Sequence, residues 1–269
     1  MLLVSGLASA SSLFASCGGH QSAVDAAGIQ ARYLEDLWWL FFWVCAAVWV
    51  MVMAVLLTAL FRNKRAGSGS KPDLVRDSAR ETRAGYTVKG AVAVTLVVLF
   101  ILMFISFRAG RAIDTLSQAQ GPLHIRVTGQ QWWWQVEYLD DQQPSKNVMA
   151  GSEIHIPVGR PVRVDLVSHD VIHSFWLPNL HGKKDLIPNY PTTIYFQADK
   201  PGIYWGQCAE FCGYEHAKMR LMVMAESPDE FNAWYASARQ PSEQPTTDLQ
   251  RHGQEIFLTS VCAQCHTIG

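Results

Sequence analysis

The chain has 269 residues, of which 49% are hydrophobic and 17% charged, and its formal net charge is −1 at pH 7. That length fits one or two domains. The near-neutral balance offers no basic face for nucleic acid, and the composition excludes a disordered tail, a collagen-like rod and a coiled coil.

Residues 1–17 read as an export signal. They are small and apolar up to Phe14-Ala15-Ser16, and Cys17 stands where cleavage would leave an N-terminal cysteine for lipid attachment. Leu37 to Phe61 is a run of 25 residues without a charge, and Gly90 to Phe107 is a second of 18. As an α-helix the first reaches roughly 37 Å, enough to cross the hydrocarbon of a bilayer with some tilt. Both are read as membrane spans, with helices over about 37–61 and 87–107 in a hairpin covering 33–111. Loop 62–89 holds eight basic residues against three acidic ones, whereas Arg32 is the one basic residue before the first helix. The loop is therefore assigned to the cytoplasmic side and both termini to the outer side. Trp38, Trp39 and Trp43 then form an aromatic belt at the outer end, and Cys45 is a small apolar residue in mid-membrane.

From about residue 122 the pattern changes to period-two alternation. It is seen in 124–128, 153–156, 162–166, 193–196 and 221–224, with Pro, Gly and Asn turns between them. Short strands punctuated this way predict an all-β sandwich or barrel. Residues 228–238, with Phe231, Trp234 and Tyr235, predict a closing amphipathic helix. Residues 112–238 form this domain. The polar, proline-rich stretch 239–247 is a linker, after which Asp248 is expected to cap another helix.

The strongest chemical signal is Cys208-x-Glu210-x-Cys212-x₃-His216-x₂-Met219. Two thiols, an imidazole and a thioether within twelve residues are soft ligands, suited to copper or zinc rather than magnesium or calcium. A second imidazole must come from another loop, and Ser168-His169-Asp170-Val171-Ile172-His173 offers two. A Cys208–Cys212 disulfide and a structural Cys₂His₂ zinc site both fit the spacing. Zinc leaves Met219 without a role. One cysteine, two histidines and a weak methionine on a β-sandwich make a blue-copper set, and the second cysteine favours a dinuclear copper centre for electron transfer.

With Asp170-Val-Ile-His173 upstream and Gly129-Gln130-Gln131-Trp132-Trp133-Trp134 on the first strands, this loop resembles subunit II of the haem–copper cytochrome c oxidases. The resemblance covers residues from about 20 to 238 and implies a two-helix transmembrane hairpin followed by a cupredoxin-like sandwich. It also implies the dinuclear centre called copper A, with Cys208 and Cys212 bridging two copper ions. His173 and His216 would each hold one copper, Met219 would be a weak ligand, and Glu210 would bind through its backbone carbonyl. The Glu210 carboxylate would face a magnesium site shared with subunit I, and His169 would be a polar surface residue. By the same resemblance Trp132 receives the electron, cytochrome c is the donor, and subunit I, with subunit III, is the partner in a bacterial inner membrane. Glu81 is then the nearest candidate for proton uptake, and Lys184-Asp185 a contact with subunit I. The aromatics Phe175, Trp176, Tyr204, Trp205 and Phe211 are expected to keep water from the metal. Three tryptophans in a row on a strand cannot all share one core, so at least one faces solvent or a partner.

Cys262-Ala-Gln-Cys265-His266 is a C-x-x-C-H haem-attachment motif, with His266 as the axial ligand. Gly253 to Phe257 resembles the first helix of a cytochrome c, so 248–269 reads as the incomplete start of a fused cytochrome c domain. A quinol oxidase subunit lacks the copper ligands. A nitric oxide reductase subunit with the same metal loop and a membrane-tethered copper carrier are the alternatives.

Overall fold

The computed structural model describes residues 21–65, 78–140, 143–241 and 243–264. The readings of residues 1–17, of Cys17, and of Cys265 and His266 lie outside the described residues.

Two long helices open the chain, α1 (Ile29–Arg65) and α2 (Ser78–Ile113). Both run past the uncharged stretches. The hydrocarbon core sets the length of an apolar run, but it does not oblige the helix to stop at the interface, where polar side chains continue it. The two helices touch each other, yet their apolar side chains are turned outward. Trp49, Val55 and Phe100 are each about two-thirds exposed. In water such surface would be costly at roughly 25 cal/mol per Å², so both helices have the character of membrane spans.

Ten strands follow: β1 (Leu123–Gln130), β2 (Trp133–Tyr138), β3 (Val148–Gly151), β4 (Glu153–Pro157), β5 (Val162–Ser168), β6 (His173–Trp176), β7 (Lys183–Leu186), β8 (Thr192–Phe196), β9 (Gly202–Cys208) and β10 (Arg220–Glu226). They form two five-stranded sheets, ordered β3-β2-β1-β5-β8 and β4-β10-β9-β6-β7. Most pairs are antiparallel, but β1 lies parallel to β5 and β4 parallel to β10. The β1–β5 register sets Ile125 beside Val164 and Val127 beside Leu166, and all four are fully buried. The alternation read in the sequence is thus one face of each sheet turned into a shared core. From the second sheet come Ile154, Ile156, Phe175, Leu221 and Val223.

Helix α3 (Pro228–Ala238) closes the sandwich where the sequence placed it. Ser227 caps it in a capping box with Glu230, and Phe231 is its buried anchor. Helix α4 (Asp248–Thr259) is capped by Thr247 with Gln250 rather than by Asp248, which occupies the first turn. Threonine suits the cap because its hydroxyl accepts from the Gln250 N–H while Asp248 favours the positive end of the dipole.

The segment before α1 is tied to the sandwich. Ala27 N–H donates to the Asn179 carbonyl and Asp199 N–H to the Ala27 carbonyl, each at 2.8 Å. Arg32 pairs with Asp199 at 2.7 Å. This end of the hairpin is therefore fixed to the β-domain.

His155 and Tyr138 join the two sheets. The Tyr138 hydroxyl accepts from the His155 N–H at 2.6 Å and donates to the His155 carbonyl at 3.1 Å. Burial pushes the phenol well above its usual range, so it stays a neutral donor. The imidazole lies between Glu153 and Glu226 and stacks on Trp234 with centroids 3.9 Å apart. Tyr138→Phe strands two buried backbone groups and is expected to cost about 2 kcal/mol. Thermal unfolding should fall by roughly 5–10 °C, and an unchanged transition would show that the hydroxyl does not join the sheets.

Candidate metal centre

Strands β9 and β10 pair antiparallel with Gln207 opposite Arg220, so residues 208–219 are the loop that connects them. The loop is closed at its base by a bond from the Cys208 N–H to the Met219 carbonyl at 2.9 Å. A 3₁₀ turn, His216–Lys218, brings the chain back toward the sheet. Gly213 has φ +117°, and a Cβ there would press on Gln131 and on the Trp132 ring at 3.1–3.2 Å. Glycine is thus required at this bend both for its dihedral and for space.

The donors converge. Cys208 Sγ lies 3.8 Å from Cys212 Sγ, 3.8 Å from His173 Nδ1 and 3.2 Å from the Glu210 carbonyl oxygen. Cys212 Sγ lies 3.6 Å from His216 Nδ1 and 3.8 Å from Met219 Sδ. His173, Cys208, Cys212 and Met219 are buried. Both cysteines are free thiols, so the disulfide expected as one alternative is not formed. Each histidine turns its Nδ1 toward a sulfur. A set of two thiols, two imidazoles, a thioether and a carbonyl is soft and is suited to copper. Met219, which a Cys₂His₂ zinc site would leave idle, is part of the cluster.

His173 comes from β6, in the same sheet as the loop, and three neighbours hold its ring. Gly129 takes an inward position on β1, where the other inward residues are Leu123, Ile125 and Val127. A Cβ on Gly129 would come within 2.8 Å of the His173 ring, so the missing side chain makes the space that the imidazole fills. Trp134 packs edge-on with centroids 6.0 Å apart. Asp170 Oδ1 lies 2.8 Å from Nε2, which fixes the tautomer with Nε2–H donating and Nδ1 open toward the sulfurs. Asp170 also accepts from the Gln131 N–H at 2.7 Å. The signal for Gly129, Gln131 and Asp170 was present as motif letters, but their roles depend on pairings between distant strands.

The Cys212 carbonyl is held by two side chains, Gln131 Nε2 at 2.7 Å and Trp132 Nε1 at 3.1 Å. Trp132 is in the turn between β1 and β2 rather than on a strand, so only Trp133 and Trp134 obey strand alternation. Trp134 is fully buried and Trp133 is exposed. The aromatic shield is thinner than expected. Phe175 is fully buried, Trp176 and Tyr204 are half-buried, Trp205 is exposed, and Phe211 is 77% exposed. Phe211 still packs against His216 at 5.7 Å, but from the rim. A loop outside both sheets cannot bury every aromatic it carries. His169 and the Glu210 side chain are exposed, as is Cys262 in a short 3₁₀ turn after α4.

The electrostatics separate the two thiols. Burial alone would raise Cys208. The His173 side chain, backbone groups of Ser174 and Glu210, and His216 outweigh it and bring the thiol below its ordinary range. Cys212 is pushed up by burial and by the neighbouring Cys208 thiolate. Burial would likewise raise Asp170, but bonds from His173, Gln131 and Val171 hold its carboxyl low.

Residues 144–226 match the family model described as cytochrome C oxidase subunit II, periplasmic domain. The chain is 31% identical to cytochrome c oxidase subunit 2 of Alkalihalophilus pseudofirmus over 265 residues, covering 94% of this chain and 73% of that one. It is 42% identical to cytochrome c oxidase subunit 2 of Thermostichus vulcanus over 146 residues, or 53% of this chain and 42% of that one. Among solved structures, the periplasmic domain of subunit II of cytochrome oxidase from Bradyrhizobium japonicum is 31% identical and aligns with a TM-score of 0.42 over 45% of this chain and 96% of that domain.

In the metal-free protein the Cys208 thiolate is expected to form below the ordinary thiol range as pH rises, and that of Cys212 only above it. Ultraviolet thiolate absorbance would read this, with Cys208→Ser losing the early step and Cys212→Ser keeping it. An early step that survives in Cys208→Ser would assign the low thiol elsewhere.

Proposed function

The chain belongs to the family of cytochrome c oxidase subunit II, and from that premise we propose that it is the electron-accepting subunit of a membrane-bound oxidase. It takes electrons from cytochrome c at a dinuclear copper A centre and delivers them to the haem centres of subunit I for oxygen reduction. The observation that carries this reading is the meeting of Cys208, Cys212, His173, His216, Met219 and the Glu210 carbonyl in one cluster, four members of which are buried.

Cys208 and Cys212 would bridge the two copper ions, His173 and His216 would hold one each, and Met219 and the Glu210 carbonyl would complete the set. Copper bound there supplies a one-electron redox centre whose charge is spread over two ions. The chain's own residues do the rest. Asp170 keeps the His173 Nδ1 directed inward. The burial of His173, Cys208, Cys212 and Met219 excludes water from the sulfurs and keeps the site rigid, which lowers the reorganisation that accompanies a change of charge. Trp132, half-buried and bonded to the Cys212 carbonyl, offers a hydrogen-bonded path from the surface to the cluster.

Further parts of the reading rest on sequence motifs and on the family resemblance. The hairpin anchors the subunit beside subunits I and III in a bacterial inner membrane, with both termini on the periplasmic side. The Glu210 carboxylate would help hold a magnesium ion at the subunit I boundary. Cys262 and Cys265 would hold a c-type haem by thioether bonds, and His266 would be its ligand. Cys17 carries lipid.

Paramagnetic resonance with metal analysis on the copper-loaded full chain tests the centre. The expected spectrum is that of one electron shared by two equivalent coppers, and Cys212→Ser should lose it. A single-copper spectrum in the wild type, or bound zinc with no signal, would overturn the reading. Trp132→Phe removes the donor to the Cys212 carbonyl. It is expected to slow reduction by cytochrome c on the order of tenfold or more with copper content unchanged. Loss of copper in that variant would make Trp132 a structural residue instead.

A further inference from the structure

A groove of about 450 Å³ opens between α1 and α2, lined by Tyr33, Asp36, Leu37 and Leu40 on one helix and by Ile105 and Arg108 on the other, among others. It has no part in the electron-transfer reading. Its depth in the membrane follows from its neighbours. Asp36 immediately precedes the apolar run and the Trp38-Trp39 pair, and Arg108 immediately follows the second apolar run. The chain just ahead of α1 is bonded to the β-domain. The groove therefore lies at the outer boundary between hydrocarbon and water, the level of lipid headgroups.

Its chemistry is divided. Leu37, Leu40 and Ile105 offer an apolar wall. Asp36 and Arg108 place one negative and one positive group at the same level, one from each helix. They form no ion pair with each other or with another described residue. Arg108 leans over the Phe104 ring at 6.0 Å, which keeps the guanidinium at the interface rather than in bulk water. Two opposite, unpaired charges above an apolar slot complement a molecule that carries both charges on its head and an acyl chain below.

We propose that this groove binds one phospholipid with an amine-bearing zwitterionic headgroup. The phosphate meets Arg108, the ammonium donates to the Asp36 carboxylate, and an acyl chain lies along Leu37, Leu40 and Ile105. An anionic lipid would satisfy Arg108 but be repelled by Asp36. A quaternary ammonium head carries charge but no N–H to donate. The inference rests on the hairpin being membrane-embedded and is independent of the copper.

The test uses the full chain, delipidated in detergent and offered phosphatidylethanolamine, phosphatidylcholine or phosphatidylglycerol in mixed micelles, with bound lipid counted by native mass spectrometry. One phosphatidylethanolamine per chain should be retained roughly tenfold more strongly than either of the others, about the effect of one charge-assisted hydrogen bond. Asp36→Asn should abolish that preference, and Arg108→Gln should weaken retention of all three lipids, while copper content stays the same. Equal retention of the three lipids, or unchanged retention in both variants, would overturn the proposal. So would loss of the lipid on assembly with the other oxidase subunits, which would mark the groove as a helix–helix interface. Release of the chain from membranes by alkaline carbonate would fail the membrane reading itself, separately from the choice of lipid.

Discussion

The bond from the Cys208 N–H to the Met219 carbonyl closes the loop that carries most of the candidate metal donors. It is the last rung of the β9–β10 ladder, so the loop is not free to drift relative to the sheet. Once its two ends are fixed, a twelve-residue segment has few ways to return, and the bend at Gly213 and the turn at His216–Lys218 select one. Both thiols, the thioether and one imidazole are then brought together without any long-range search.

The second imidazole does require long-range structure. His173 reaches the sulfurs because β6 lies beside β9, with Phe175 opposite Cys208. The opposite sheet contributes by an omission, at Gly129, and by a contact, at Trp134. The site is thus a joint between two sheets, and the packed core beneath it is what makes its geometry unyielding. The β1–β2 turn adds Gln131 and Trp132, whose bonds to the Cys212 carbonyl tie the outside of the loop to the first sheet.

The same division between local and distant structure appears in the membrane part. Each helix is specified by its own run of apolar residues, while the groove between them exists only because Asp36 and Arg108 are brought to the same depth by the hairpin. The ties from Ala27 and Arg32 to the sandwich set that hairpin against the β-domain.

Much of the fold and of the site is legible in the sequence. The spans, the alternating strands, helix α3 and the Cys-Glu-Cys-His-Met loop are short-range patterns, and a short-range pattern is written in consecutive residues. Strands such as β7, whose Lys183, Lys184 and Asp185 are exposed on an edge, gave no alternation because edge strands are kept polar. The aromatic shield was overstated because sequence carries no direction for a side chain in a loop, and Phe211 faces outward. Thr247 rather than Asp248 is the cap because its extended backbone turns the hydroxyl to the Gln250 N–H. By itself the sequence determined the donor types, their spacing within one loop and the membrane runs, all of which depend on neighbours in the chain. Only the tertiary structure decided that His173 rests on Gly129 with its free nitrogen toward Cys208, that Asp170 holds the opposite nitrogen, and that Trp132 grips the Cys212 carbonyl, because each of those contacts joins segments that meet only when the two sheets pack.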